Sequence, residues 1–306
     1  MLDIYFLSGK INSLEKKFID SEKMKKIIEC KTFEEFVNIL EGSFFKMPSH
    51  ISSPEEIFNF FENERIKLIE EIKKIGDEII VKFFLIKYDY FNITILIENK
   101  QEFSYYGTIE FYTLKDAFEK NDLSKLPEFL QDAFRIYKSK FAIEDKLLFL
   151  KNDYYKKLYE IAVTLSDFSK NYVKIEIDFA NIKNYLNKKL NEKKVTTNDF
   201  IEDGNIQREI FLDENLLLEK LKLKYKKIEI PLNEENIENE KYKVLIDYLK
   251  EGRIKSYGID KIISFYLARE IEIENIQRIA ITKFYKMDEN FFKKILIPPY
   301  QYKGEK

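Results

Sequence analysis

Asp89-x-x-Asn92, Asp178-x-x-Asn181 and Glu272-x-x-Asn275 set an acid and an amide at one spacing three times in this chain. On a helix, positions three apart share a face, so each acid projects beside its asparagine. Such a face suits two chemistries. A carboxylate can ligate a hard cation or act as a general base. A buried acid and amide can instead satisfy nearby backbone groups and fix the register of packed helices. The second reading is preferred, because a catalytic dyad is not normally installed three times and then changed to glutamate in one copy. Asp89, Asn92, Asp178, Asn181, Glu272 and Asn275 are therefore expected to be structural, together with Gly107 and Gly204, which follow the first two copies. No catalytic residue, metal ligand or cofactor-binding residue is expected. A hydrolase with a carboxylate-lined metal site is the enzymatic alternative.

Other reactive residue types are sparse. His50 is the only histidine and has no second imidazole or nucleophile in its context, so neither a triad nor a histidine zinc site is indicated. Cys30 is the only cysteine, which excludes an internal disulfide and reads as a small packed residue. Gly9-Lys10 lacks the upstream glycine and the Ser/Thr of a phosphate loop, and no Gly-x-Gly-x-x-Gly occurs, so no nucleotide is expected. The lysine groups at 23/25/26, 188/189/193/194 and 222/224/226/227 all have acids nearby and read as solvated surface.

The acid–amide pairs lie in long apolar segments: KFFLIKYDYFNITILI, YVKIEIDFANIKNYL and SFYLAREIEIENIQRI. The steps between copies are 178 − 89 = 89 and 272 − 178 = 94 residues, and the glycines repeat at 204 − 107 = 97. A unit of about one third of the chain recurs, which is an architectural signal. Ile262, Ile263, Tyr266, Leu267, Ile273, Ile276 and Ile279 form an apolar stripe at helical steps in the third copy. The first copy is β-branched and ambiguous alone, but equivalence makes all three segments helical. The expected fold is all-α, with three similar helical modules at 1–104, 105–208 and 209–306, the N-terminal segment being free to pack elsewhere. Gly107 and Gly204 are expected at positive-φ turns closing each helical hairpin.

Boundary signals fill in the rest. Residues 11–40 read as helical with a break at Lys31-Thr32, Thr32 and Glu35 forming a capping-box pattern. Ser53-Pro54-Glu55-Glu56 starts another helix. Gly76-Asp77 marks a bend, residues 233–241 read as a polar linker, and Pro298-Pro299 is expected to end the last helix.

Composition narrows the class. Gly 8 and Pro 6 in 306 residues are low against usage of about 7% and 5%, which favours helices over a β-sandwich. Six of the 52 basic residues are Arg, as in a lysine-rich chain from an AT-rich genome. The net charge of −2 supplies no global field toward nucleic acid or an anionic membrane. The apolar stretch 79–97 is long enough to span a bilayer but carries Lys82, Lys87, Asp89 and Asn92, so a buried helix is expected. The N-terminus MLDIYFLSGK has no basic region followed by an apolar core, so no signal peptide is expected, and the lone Cys30 is compatible with the cytosol.

Tyr88-Asp89 with Asn92-Ile93 and Gly107, then Asp153-Tyr154-Tyr155 with Ile177-Asp178 and Asn181-Ile182-Lys183, then Arg269-Glu270 with Glu272, Asn275-Ile276 and Arg278-Ile279, carry a family resemblance. The chain resembles the C subunits of the prokaryotic V-type (A-type) rotary ATPases (ATP synthases), the counterparts of the eukaryotic V-ATPase d subunits, over nearly its whole length. Departures are Thr94, where that family usually has a basic residue, and the lack of its usual arginine after Lys183-Asn184. The resemblance implies a pseudo-threefold, funnel-like helical protein in the central rotor, peripheral at the cytoplasmic face of the membrane. Its partners would be the central-stalk proteins and the membrane proteolipid ring. It would have no catalytic residue, no cofactor and no nucleotide of its own, and would transmit torque coupling ATP hydrolysis or synthesis to H+ or Na+ transport. A helical-repeat scaffold binding soluble proteins is the alternative from another class.

Overall fold

A computed structural model of the protein describes residues 4–226, 228–230, 232–287 and 296–301. Among these it is all-α, with twelve α-helices and no strand. They are α1 (Ile4–Leu14), α2 (Ser21–Glu29), α3 (Phe33–Ile39), α4 (Pro54–Lys73), α5 (Glu78–Glu98), α6 (Phe111–Lys120), α7 (Gln131–Lys138), α8 (Ile143–Leu165), α9 (Asp167–Leu190), α10 (Glu214–Lys224), α11 (Ile237–Arg253) and α12 (Ile259–Phe284).

Side-chain caps set most of the boundaries that position the repeated motif. Ser53 accepts the Glu56 amide with Pro54 in the first turn of α4. Gly76 takes φ +74, and Asp77 then accepts the amides of Ile79 and Ile80 to open α5. Ser166 alone separates α8 from α9, and its hydroxyl and that of Ser169 each accept the other residue's amide. Each cap satisfies a helical N–H that water would otherwise have to reach. Residues 11–40 are less continuous than expected. The break at Thr32 is present, but a second falls between Leu14 and Ser21, where Asp20 caps α2. Phe18 and Ile19, in that gap, are buried.

The chain divides into two compact units, residues 1–74 with 225–306, and residues 75–224. In the first unit α12 is the centre, packed by α4, α11, α1 and α3. The expected stripe of α12 is wholly buried, with Lys261, Arg269, Glu272 and Gln277 along it, but so are Ser264, Ala268, Ile271 and Asn275 on the opposite side. The helix is therefore enclosed rather than one-sided, which four neighbours require. In the second unit α8 lies between α5 and α9, with α7 against α5 and α8. The two complete Asp-x-x-Asn copies belong to this unit and the Glu-x-x-Asn copy to the first.

Residues 233–241 are not a linker. Residues 237–241 open α11, where Ile237, Asn239 and Glu240 are buried and Glu240 accepts the Glu229 amide. A single isoleucine and the backbone bond outweigh the polar composition. The stretch 79–97 lies within α5, and no described helix is long and apolar enough to cross a membrane. The last described helix ends at Phe284, and Pro298-Pro299 stands in non-helical chain. Residues 288–295, where helix would have to reach Pro298, lie outside the described residues.

Candidate functional site

The three asparagines make the same contact. Asn92 accepts the Ser104 amide at 2.7 Å and donates to the Ser104 carbonyl at 2.8 Å. Asn181 does so with Ile201 at 2.8 and 2.9 Å. Asn275 does so with Ile297 at 3.1 and 2.9 Å. A carboxamide offers one acceptor and two donors, so it can occupy both backbone groups of one residue as a neighbouring strand would. All three asparagines are buried, and each bond spares a backbone group a desolvation cost of about 1–3 kcal/mol.

The acids hold the same segments a few residues on. Asp89 Oδ1 accepts the Ile109 amide at 3.3 Å, and Oδ2 accepts from Thr108 Oγ1 at 2.6 Å. Asp178 Oδ1 accepts the Ile206 amide at 2.9 Å, and Oδ2 accepts from Asn205 Nδ2 at 3.0 Å. Both aspartates are fully buried. Here the glycines find their reason. A Cβ on Gly107 would stand 2.2 Å from Asp89 Oδ1, and one on Gly204 would stand 2.4 Å from Asp178 Oδ1. Neither glycine has positive φ; that conformation belongs to Gly42, Gly76 and Gly258. The expected left-handed turn is thus replaced by a close approach of backbone to carboxylate.

The third acid differs. Glu272 Oε1 accepts the Ile19 amide at 2.6 Å, from the opposite end of the chain, and Oε2 pairs with Arg269 at 3.0 Å. The Arg269 guanidinium lies 3.5 Å from the centre of the Phe44 ring. Burial pushes the Glu272 carboxyl up to about 7, although Arg269 and the Ile19 amide pull it down. Burial likewise lowers Arg269. The pair is enclosed and each member depends on the other.

Asp153, on α8, accepts a 2.6 Å bond from the Tyr90 hydroxyl of α5, and Tyr154 packs on Tyr90 at 5.4 Å between ring centres. Burial raises the Asp153 carboxyl. Among the described residues no group of three or more His, Cys, Asp or Glu could hold a metal ion. A cleft of about 660 Å³ in the second unit is lined by Lys82, Phe129, Asp132, Arg135 and Lys157 among others, and by none of the motif residues.

The remaining reactive types are ordinary. His50 is exposed in a turn. Cys30 is half-buried, its thiol pushed up by burial and bonded to the Ile27 carbonyl. Gly9-Lys10 lies within α1. Lys25, Lys26, Lys188 and Lys189 pair with Glu29, Glu22, Asp199 and Glu214. Lys227 lies outside the described residues.

Ser104, Ile201, Ile297, Ile19 and Arg269 take part in the motif and were not legible as its partners. The interval from asparagine to partner is 12, 20 and 22 residues, so it has no period. The constant spacing runs from partner to glycine, three residues in each complete copy, and it gives a signal once the partner is known.

The chain matches the family described as ATP synthase (C/AC39) subunit over residues 7–295. No curated protein matches it.

Proposed function

We propose, from the premise that the chain belongs to the ATP synthase (C/AC39) subunit family and so is part of a V/A-type rotary ATPase, that it is the non-catalytic central-rotor component. In this role it links the central stalk to the membrane proteolipid ring and transmits the torque that couples ATP hydrolysis or synthesis to H+ or Na+ transport. It sits at the cytoplasmic face as a peripheral part of the complex, touching the membrane through the ring. The observation that carries this reading is the family match over nearly the whole chain.

The motif geometry supports a mechanical rather than a chemical use. Every carboxylate oxygen of Asp89, Asp178 and Glu272 already accepts from a donor within the chain, which supports a structural use of the three acids. A part that carries torque must resist internal shear. Each pin ties a helix interior to chain 12 or more residues away, on helices of 21, 24 and 26 residues. At 1.5 Å rise per residue such helices are roughly 30–40 Å long, the scale of a small domain.

The same reading divides the chain into three modules, 1–104, 105–208 and 209–306, whose successive long helices are α4 and α5, α8 and α9, and α11 and α12. Packing within the units supports this: α5 lies on α8, and α12 lies on α4. In both cases a motif helix meets the first helix of the next module, counted cyclically. The test is co-purification after mild detergent extraction. The chain is expected to come out with the stalk and proteolipid components; recovery with soluble proteins alone would reject the rotor assignment.

A further inference from the structure

In the two complete copies the acid binds chain that has only just left the motif helix. Asn92 pairs with Ser104, and Asp89 takes the amide of Ile109, five residues later. Asn181 pairs with Ile201, and Asp178 takes the amide of Ile206, again five residues later. In the third copy Asn275 pairs with Ile297, but Glu272 takes the amide of Ile19. A segment from the far end of the chain stands where the other copies use their own downstream residues.

Three further differences agree with that exchange. The acid is one methylene longer, giving it more reach. The position three residues after Ile297 is Tyr300, where the other copies have Gly107 and Gly204. Its ring cannot fit under a carboxylate as those glycines do. It turns instead to the incoming segment, 4.8 Å from the Phe18 ring, with its hydroxyl 2.7 Å from Ser264 Oγ of α12. Asp20 then forms a parallel bridge with Gln301. Phe18 also packs edge-on against Phe44 and Phe265 at 5.4 and 5.6 Å. Residues 18–19 and Tyr300 are all at most 3% exposed, so this is interior structure and not a loose terminus lying on a surface.

We propose that residues 18–20 are the closing segment of the third module, supplied from the other end of the chain, and that with residues 297–301 they form one strap that leaves α12 as a single body. Asn275 holds one half of this strap and Glu272 the other. The halves are joined by the Phe18–Tyr300 contact and the Asp20–Gln301 bridge. The proposal rests on the three-module reading and is independent of the rotor assignment.

A strap of this kind makes the two chain ends mutually dependent. Loss of either pin exposes the Ile19 or Ile297 amide and also strips the partner half of its neighbour, so opening is shared. The groups facing Glu272 are Arg269 on its own helix and Lys23 on α2, while Glu64 and Glu71 of α4 act on Arg269. The strap is therefore held by the Glu272–Ile19 bond, the two Asn275–Ile297 bonds, the Ser264–Tyr300 contact, one enclosed ion pair and aromatic packing.

The test is residue-resolved amide hydrogen exchange on the full chain, in the wild type and in Glu272→Ala, Glu272→Gln and Asn275→Ala. Glu272→Ala is expected to speed exchange at Ile19 and Ile297 together, on the order of 10- to 100-fold, leaving Ile109 and Ile206 unchanged. Glu272→Gln retains a carbonyl acceptor and should show a smaller but equal rise at both, which serves if the alanine variant does not fold. Asn275→Ala should likewise free both. Ile19 staying protected in both Glu272 variants, or opening without Ile297, would overturn the strap. The three-module reading is judged separately: Asn92→Ala and Asn181→Ala must free Ser104 and Ile201, and protection kept at both would reject the repeat itself.

Discussion

Asn181 and Gly204 show what the repeated residues are for. Asn181 occupies both backbone groups of Ile201 in a fully buried setting. Asn181→Ala leaves an amide and a carbonyl unpaired and should cost about 2–4 kcal/mol in chemical denaturation. Gly204→Ala is the sharper experiment. The added methyl meets Asp178 Oδ1 at 2.4 Å, so a loss of about 1–3 kcal/mol is expected. Removing the obstacle with Asp178→Ala should shrink that loss, because the glycine serves the carboxylate and not a left-handed turn. An undiminished cost in the double variant would restore a conformational explanation. The pairing of an acid with an asparagine was readable in the sequence through three occurrences at one spacing. Its object was not, because the loops between asparagine and partner have unequal lengths and only the folded chain brings Ser104, Ile201 and Ile297 to one relation.

Among the elements, α12 departs furthest from its sequence pattern. A stripe of isoleucines suggests one buried face, yet four neighbouring helices enclose it and place Arg269 and Glu272 in the interior. The polar residues that hid this are the ones that pair. A measurable pH dependence follows. Burial raises the Glu272 carboxyl from 4.5 in the unfolded chain to about 7 in the folded one. The folded state therefore binds the proton more tightly. The contribution of Glu272 to stability is greatest below about pH 4.5, falls as pH rises through about 7, and is level above it. The span corresponds to roughly 3–4 kcal/mol as an upper bound at 1.36 kcal/mol per unit. The difference in unfolding free energy between wild type and Glu272→Gln, measured from pH 5 to 8, should shift against the wild type as pH rises. A flat difference would mean that Arg269 and the Ile19 amide offset burial completely. The helices themselves were legible: α5 is β-branched and ambiguous alone, and its equivalence to α9 and α12 identified it as helix. The opening of α11 was not, since Asn and Glu in residues 237–241 resemble a linker until Glu240 meets the Glu229 amide.

For the whole molecule, the all-α class and the family were both within reach of the sequence, because a tripled motif survives where no single copy is specific. The division into two compact units was not, since it joins chain ends that lie far apart in sequence. The rotor reading makes one demand that no scaffold or hydrolase would meet. The chain must carry coupling without carrying chemistry. The direct measurement is ATP-driven ion pumping in liposomes by the motor reconstituted with and without this protein, with ATP hydrolysis followed in parallel. The expected result is that hydrolysis by the head continues in its absence while pumping falls to background and returns when the protein is added. Pumping that persists without it would contradict the account.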